Sequence, residues 1–116
     1  SRLGLEKALV VPYDSNFNRN HKLNSNIYYG CSIKALCILA EKKNMALVAI
    51  NSAGNNAFFV KKELLNEKVK ENKIENCFNY AQFREHRDNN GNLTYKNLEE
   101  EQKILSNFNF IKINEN

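Results

Sequence analysis

Apolar residues in this chain gather in short runs, separated by polar stretches rich in asparagine, and the spacing within the runs changes along the sequence. Leu9-Val10-Val11 ends an apolar run that Pro12 stops, since proline brings no N–H to a ladder, and a short strand is expected there. Tyr13 to Asn26 shows neither period 2 nor period 3.6 and reads as a loop of the length that usually carries function or lacks structure. Ile33, Leu36, Cys37 and Ala40 then fall at i, i+3, i+4 and i+7, which predicts an amphipathic helix. Ser32 suits its N-cap, Lys42 and Lys43 suit the dipole at its C-terminus, and Asn44 closes it. Ala46 to Ile50 reads as a fully buried strand, Ser52-Ala53-Gly54 as a turn and Ala57 to Val60 as a second strand, together an antiparallel hairpin. Phe58 and Phe59 point to opposite faces of such a strand, so both are expected in the core.

The second half is less periodic. Lys61 to Lys73 favours helix by propensity, with Leu64, Leu65 and Val69 on its inner side. Cys77, Phe78, Tyr80 and Phe83 form an aromatic stretch without a period, and Asp88-Asn89-Asn90-Gly91 is a strong turn signal. Asn97 followed by Glu100 has the spacing of a capping box and opens a short helix to about Ser106. Phe108 to Ile113 is the last expected strand. No internal repeat is visible.

Composition narrows the classes. At 116 residues the chain is one domain at most, and 42% hydrophobic residues with seven Phe and five Tyr allow a modest core. No apolar run approaches the roughly 20 residues of a membrane span, and the start has no signal-peptide pattern, so neither a membrane nor a non-cytoplasmic compartment is expected. The three cysteines, Cys31, Cys37 and Cys77, form no C-x-x-C pair and stand apart from His21 and His86, which points to free structural thiols rather than disulfides or zinc. The net charge of +4 is spread, with Lys61-Lys62 followed by Glu63 and Lys68 and Lys70 alternating with Glu67 and Glu71, so no nucleic-acid partner is expected. The 21 asparagines are scattered among apolar residues rather than collected in a prion-like tract.

Helix, buried strand, tight turn and second strand over residues 30–60 follow the order at the C-terminal end of class I methyltransferase sheets. Val11 to Asp14, Tyr29 to Leu36 and Leu47 to Val60 resemble a group of bacterial, FkbM-like methyltransferase-related proteins, and Phe83 to Asp88 with Gly91 to Tyr95 resembles that group's C-terminal segment. The resemblance covers nearly the whole chain, is most specific from Asn51 to Val60 and least so after Tyr95. It implies an α/β fold (α+β for the isolated piece). Residues 1–60 would be the end of the methyltransferase-like sheet, and residues 61–116 a helical and irregular C-terminal extension. In that family S-adenosylmethionine is held upstream, by a Gly-containing loop after the first strand and an acidic residue closing the second. Gly4, Gly30, Gly54 and Gly91 form no such loop, so no cofactor is expected in this chain and S-adenosylmethionine is implied only for a parent protein. The family's order places the chain after the fifth strand and makes the hairpin strands six and seven. Ala57 to Val60 would then lie beside an absent fifth strand, so the expected partner is a missing N-terminal half, or a second copy pairing through sheet edges.

No catalytic residue is expected, and the candidate site residues are substrate-binding ones. Arg84 and Arg87 can clamp a phosphate or carboxylate, because guanidinium forks match those anions, although a solvated, internally paired loop explains the cluster from Arg84 to Asp88 as well. His86 has Glu85 and Asp88 near it in sequence, which by itself sets no general-base geometry. Asn51, Asn55 and Asn56 flank the hairpin turn, where Asn serves the turn itself or lines an acceptor pocket at the sheet's carboxyl edge. Tyr13 and Asp14 open the long loop that can cover such a pocket, Asp14 also fitting a turn after Pro12. The expected function is therefore a C-terminal fragment of a methyltransferase-like protein, inactive alone, that completes the sheet and supplies part of the acceptor site. The rival is a stand-alone α+β interaction module without enzymatic activity.

Overall fold

A computed structural model of the chain describes residues 2–19, 26–82 and 86–115. In chain order the elements are β1 (Leu9–Val10), α1 (Ile33–Lys42), β2 (Met45–Ile50), β3 (Ala57–Lys61), a 3-10 turn (Lys62–Leu64), α2 (Ile74–Cys77), α3 (Leu98–Leu105) and β4 (Ile111–Lys112). Among the described residues they make a mixed α+β architecture with two antiparallel, two-stranded sheets, β2–β3 and β1–β4.

The first unit grows from local signals. Ser32 caps α1, its Oγ accepting from the Ala35 N–H at 3.2 Å, and the same oxygen accepts from the Leu9 N–H at 2.9 Å. The helix ends at Lys43, and Asn44 turns the chain in the left-handed region (φ 55°) that Asn tolerates, straight into β2. β2 and β3 pair from Met45 opposite Lys61 to Ile50 opposite Ala57, with a bulge between Leu47 and Ala49 that leaves Val48 as the extra residue. Glu41 at the end of α1 holds Lys62, just past β3, through both carboxylate oxygens at 2.6 and 2.7 Å. That pair ties the open end of the hairpin to the helix.

Three expectations fail in this region. Ala46 and Leu47 are both buried, so both faces of β2 are covered at their level, but Ala49 is exposed and β2 is only partly a buried strand. Opposite Ala49, Phe58 is 52% exposed, and Phe59 is only half-buried, so neither is a sealed core residue. Residues 61–73 form no continuous helix either. Asn66 accepts from the Lys68 and Val69 N–H groups with its side chain while its own N–H donates to the Val69 carbonyl, a local turn that competes with helical bonding. The chain then runs beside β2, where the Asn72 N–H donates to the Leu47 carbonyl at 2.8 Å. Leu64 and Val69, assigned an inner side by propensity, are exposed.

The second unit joins distant parts of the chain. β1 pairs with β4, Leu9 opposite Lys112 and Val10 opposite Ile111, and on its other side meets Cys31 and Ser32 at the entry to α1. Tyr28 stacks on Phe108 (centroids 4.4 Å apart), meets Phe110 edge-on at 5.5 Å and donates its hydroxyl to the Asn109 carbonyl. The expected capping box opens α3: the Asn97 side chain accepts from the Glu100 N–H at 2.9 Å and the Glu100 carboxylate faces the Asn97 N–H.

Among the described residues four of the nine buried hydrophobic ones are alanines, which leaves few large side chains in the described interior. The Cα radius of gyration is 15.6 Å, against about 13 Å for a compact domain of this length. The molecule is correspondingly elongated, 50 × 28 × 21 Å.

Candidate ligand cavity between the hairpin turn and the paired chain ends

The hairpin turn and the β1–β4 unit face one another across an open cavity of about 320 Å³. On the hairpin side stand Ile50, Gly54, Asn55, Asn56 and Ala57. Asn51 shapes this wall: its Oδ1 accepts from the Asn55 and Asn56 N–H groups, each at 3.1 Å, and its Nδ2 donates to the Asn55 Oδ1 at 2.6 Å. Gly54 is required there on two counts. Its φ is +71°, and a Cβ would lie 2.3 Å from the Tyr80 carbonyl oxygen. The turn is thus clamped against residues 79–82, whose Gln82 N–H donates to the Ala53 carbonyl at 2.9 Å.

The other wall is built on Tyr29. The guanidinium of Arg2 lies 4.6 Å from its ring centroid and that of Arg19 lies 4.2 Å from it. Each Nε is anchored, that of Arg2 3.0 Å from Glu101 Oε1 and that of Arg19 donating to the Asn26 carbonyl at 2.6 Å. Behind Arg2, the buried Glu101 carboxylate also meets the buried His86, Nε2 to Oε2 at 3.5 Å. Ile27, Ile33, Leu36, Leu105 and Phe110 make the apolar part of the lining. Leu36, on the face of α1 that the spacing turns inward, therefore borders open space rather than a filled core. Cys31 also lines the cavity, and burial pushes its thiol up, which keeps it protonated and poorly nucleophilic near neutral pH.

The structure brings together only part of the expected site. Asn55 and Asn56 line the cavity and Asn51 supports them. Tyr13 is 92% exposed and away from the cavity lining, and Asp14 holds a turn by accepting from the Asn16 N–H at 2.9 Å. Arg84 lies outside the described residues. His86 and Arg87 diverge: His86 is buried against Glu101, whereas Arg87 donates from Nη1 to the Gly91 carbonyl at 2.7 Å beside the Asp88 turn. Asp88 there accepts from the Asn92 and Asn90 N–H groups, which holds its carboxyl below the usual range. Arg2, Arg19, Tyr29 and Glu101 were not legible as site residues, since their meeting depends on the two ends of the chain coming together.

S-adenosylmethionine does not fit this cavity. Among the described residues its lining has two arginines and no carboxylate, whereas the cofactor's sulfonium is cationic and its ribose hydroxyls call for an acidic acceptor. Among the described residues no group of three or more His, Cys, Asp or Glu can hold a metal ion, and no helix is long and apolar enough to cross a membrane. The three cysteines are free. Comparison with family models, with curated proteins and with solved structures gives no match.

Proposed function

We infer that the chain works as part of a larger methyltransferase-like protein, in which it extends the sheet and supplies a wall of the acceptor-substrate site, with methyl transfer depending on a cofactor site outside this chain. The observation that carries this reading is the distribution of apolar side chains. Leu36, Leu39, Phe58, Leu64, Tyr80 and Ile111 are exposed, while among the described residues only Ile27, Tyr28, Ile33, Leu47 and Leu105 are large and buried hydrophobics. Large apolar side chains left exposed on a small chain are consistent with partial cover by another polypeptide. The hairpin adds a place for it, because β3 pairs with β2 on one edge and with no strand on the other among the described residues. The helix–strand–strand order and the amides of Asn55 and Asn56 at the cavity agree with the resemblance.

The rival reading, a self-sufficient interaction module, draws on the β1–β4 pairing, which closes the chain's distant segments on each other. Calorimetric titration with S-adenosylmethionine separates the two. The expected result is no binding by the chain alone, and binding once it is co-expressed with the polypeptide encoded directly upstream. Micromolar binding by the chain alone, or none by the co-expressed pair, overturns the reading.

A further inference from the structure

We propose that the cavity beside Tyr29 binds a small organic anion, a carboxylate or phosphate monoester carried on an apolar or aromatic body. The proposal names the substrate class for the acceptor site inferred above, and rests on that reading only in taking this cavity as the place where substrate sits.

The two arginines are placed for anion binding rather than for structure alone. In each, the Nε faces a partner, Glu101 in an ion pair for Arg2 and the Asn26 carbonyl in a hydrogen bond for Arg19, and both guanidinium carbons lie over the same tyrosine ring. The terminal nitrogens of both side chains are left to offer paired N–H donors at the cavity both residues line, the fork that matches a carboxylate or phosphate edge. The charge count agrees. Glu101 pairs with Arg2, while Arg19 has no ion pair among the described residues, so the described lining of this end carries an excess positive charge. Among the described residues no Asp or Glu lines the cavity to cancel it.

Next to this charged end the lining is apolar, with Ile27, Ile33, Leu105 and Phe110, and across from it stand the amides of Asn55 and Asn56. A volume of about 320 Å³ lies at the small end of the range for ligand pockets, which suits a molecule the size of a substituted benzoate or an aryl phosphate. A free inorganic ion would leave the apolar part unfilled.

The test is calorimetric titration of the whole chain with phenyl phosphate, benzoate, benzyl alcohol and inorganic phosphate. The expected result is saturable binding of at least one of the two aromatic anions, with benzyl alcohol and inorganic phosphate each at least about tenfold weaker, as the loss of a charged hydrogen bond or of the apolar contact implies. Which aromatic anion binds more tightly separates carboxylate from phosphate as the natural group. Arg19→Gln should weaken that anion at least about tenfold with little change in thermal melting. Should Arg19→Gln fail to fold, Asn56→Asp, at an exposed position, serves in its place by setting a negative charge at the rim and weakening the anion but not benzyl alcohol. Equal binding of benzyl alcohol, equal binding of inorganic phosphate, unchanged affinity in the variant that folds, or no saturable binding of either aromatic anion overturns the proposal. These measurements need neither cofactor nor partner, so a failed co-expression test leaves them standing, and their failure leaves the sheet-extending role standing.

Discussion

The hairpin unit and the unit made by the chain ends reach order by different routes. From Ser32 to Lys62 every element is next to its neighbour in sequence: a capped helix, a left-handed Asn44, a strand, a clamped turn and a returning strand. Residues 2–10 and 86–113 instead meet across most of the chain, through β1–β4 pairing, a hydrogen bond from Gln102 to the Arg2 carbonyl and the buried Arg2–Glu101–His86 cluster. The first unit is held by backbone geometry and modest apolar contact. The second places ionisable groups in its interior, where removing one partner is costly because the other stays desolvated.

The largest effect should therefore come from the second unit. Glu101→Leu leaves Arg2 and His86 beside an apolar side chain, and breaking a buried pair in this way costs about 3–5 kcal/mol. Urea denaturation of the variant measures it. A loss below about 1 kcal/mol would mean that the cluster is solvated and that the contrast between the units is not one of buried charge.

In the hairpin unit the largest response should come from backbone rather than side-chain contact. Gly54→Ala combines a left-handed φ with a Cβ against the Tyr80 carbonyl, and about 2 kcal/mol or more is expected. Hydrogen exchange should show the loss first at the Ala53 and Gln82 contact. Ser32→Ala tests the link between the units, because the fully buried hydroxyl accepts from both Leu9 and Ala35. Leaving those two N–H groups without the hydroxyl should cost about 2 kcal/mol and loosen β1 as well as α1, read as faster amide exchange at Leu9. Asn97→Ala removes an exposed cap from α3 and should cost about 1 kcal/mol in the same denaturation experiment.

The same contrast explains what was legible in the sequence. The Ser32 cap, the α1 periodicity, the Ser52–Gly54 turn and the Asn97–Glu100 capping box each depend on residues within a few positions, and each stands where expected. Helix propensity over 61–73 lost to the Asn66 side chain, which satisfies its neighbours' N–H groups locally, and to Asn72, which bonds to β2. Phe58 was assigned to the core because an apolar strand was taken as covered on both faces, but cover ends beyond Leu47, and the bulge at Val48 changes the facing of the residues after it. The candidate site divided in the same way. Asn51, Asn55 and Asn56 are local to one turn, whereas Arg2, Arg19 and Glu101 have no shared spacing that could have pointed to Tyr29.

The smallest effect is a pH response confined to the hairpin unit. Cys37 on α1 sits near α2, and its thiol is pushed up to about 11, chiefly by burial, with Cys77, Glu71 and Glu75 adding in the same direction. A folded-state pKa above the unfolded value near 9 means that the folded chain holds the proton more tightly. The stability this contributes is fully present below about pH 9 and is lost as pH rises from there toward 11. Cys31, Cys77 and Tyr28 are raised by burial as well, and Lys62 is raised by its hydrogen bond to Glu41, so the whole chain should weaken in alkali. Cys37→Ala isolates one contribution: the melting temperature of the variant should fall less steeply between pH 9 and 11 than that of the parent chain, while the two run parallel below pH 8. The effect should be small, because Cys37 is only partly buried and solvent screens its charged form. Parallel melting curves across the whole range would mean that the Cys37 thiolate is accommodated without cost, and that α1 and α2 are less tightly apposed than the rest of the hairpin unit.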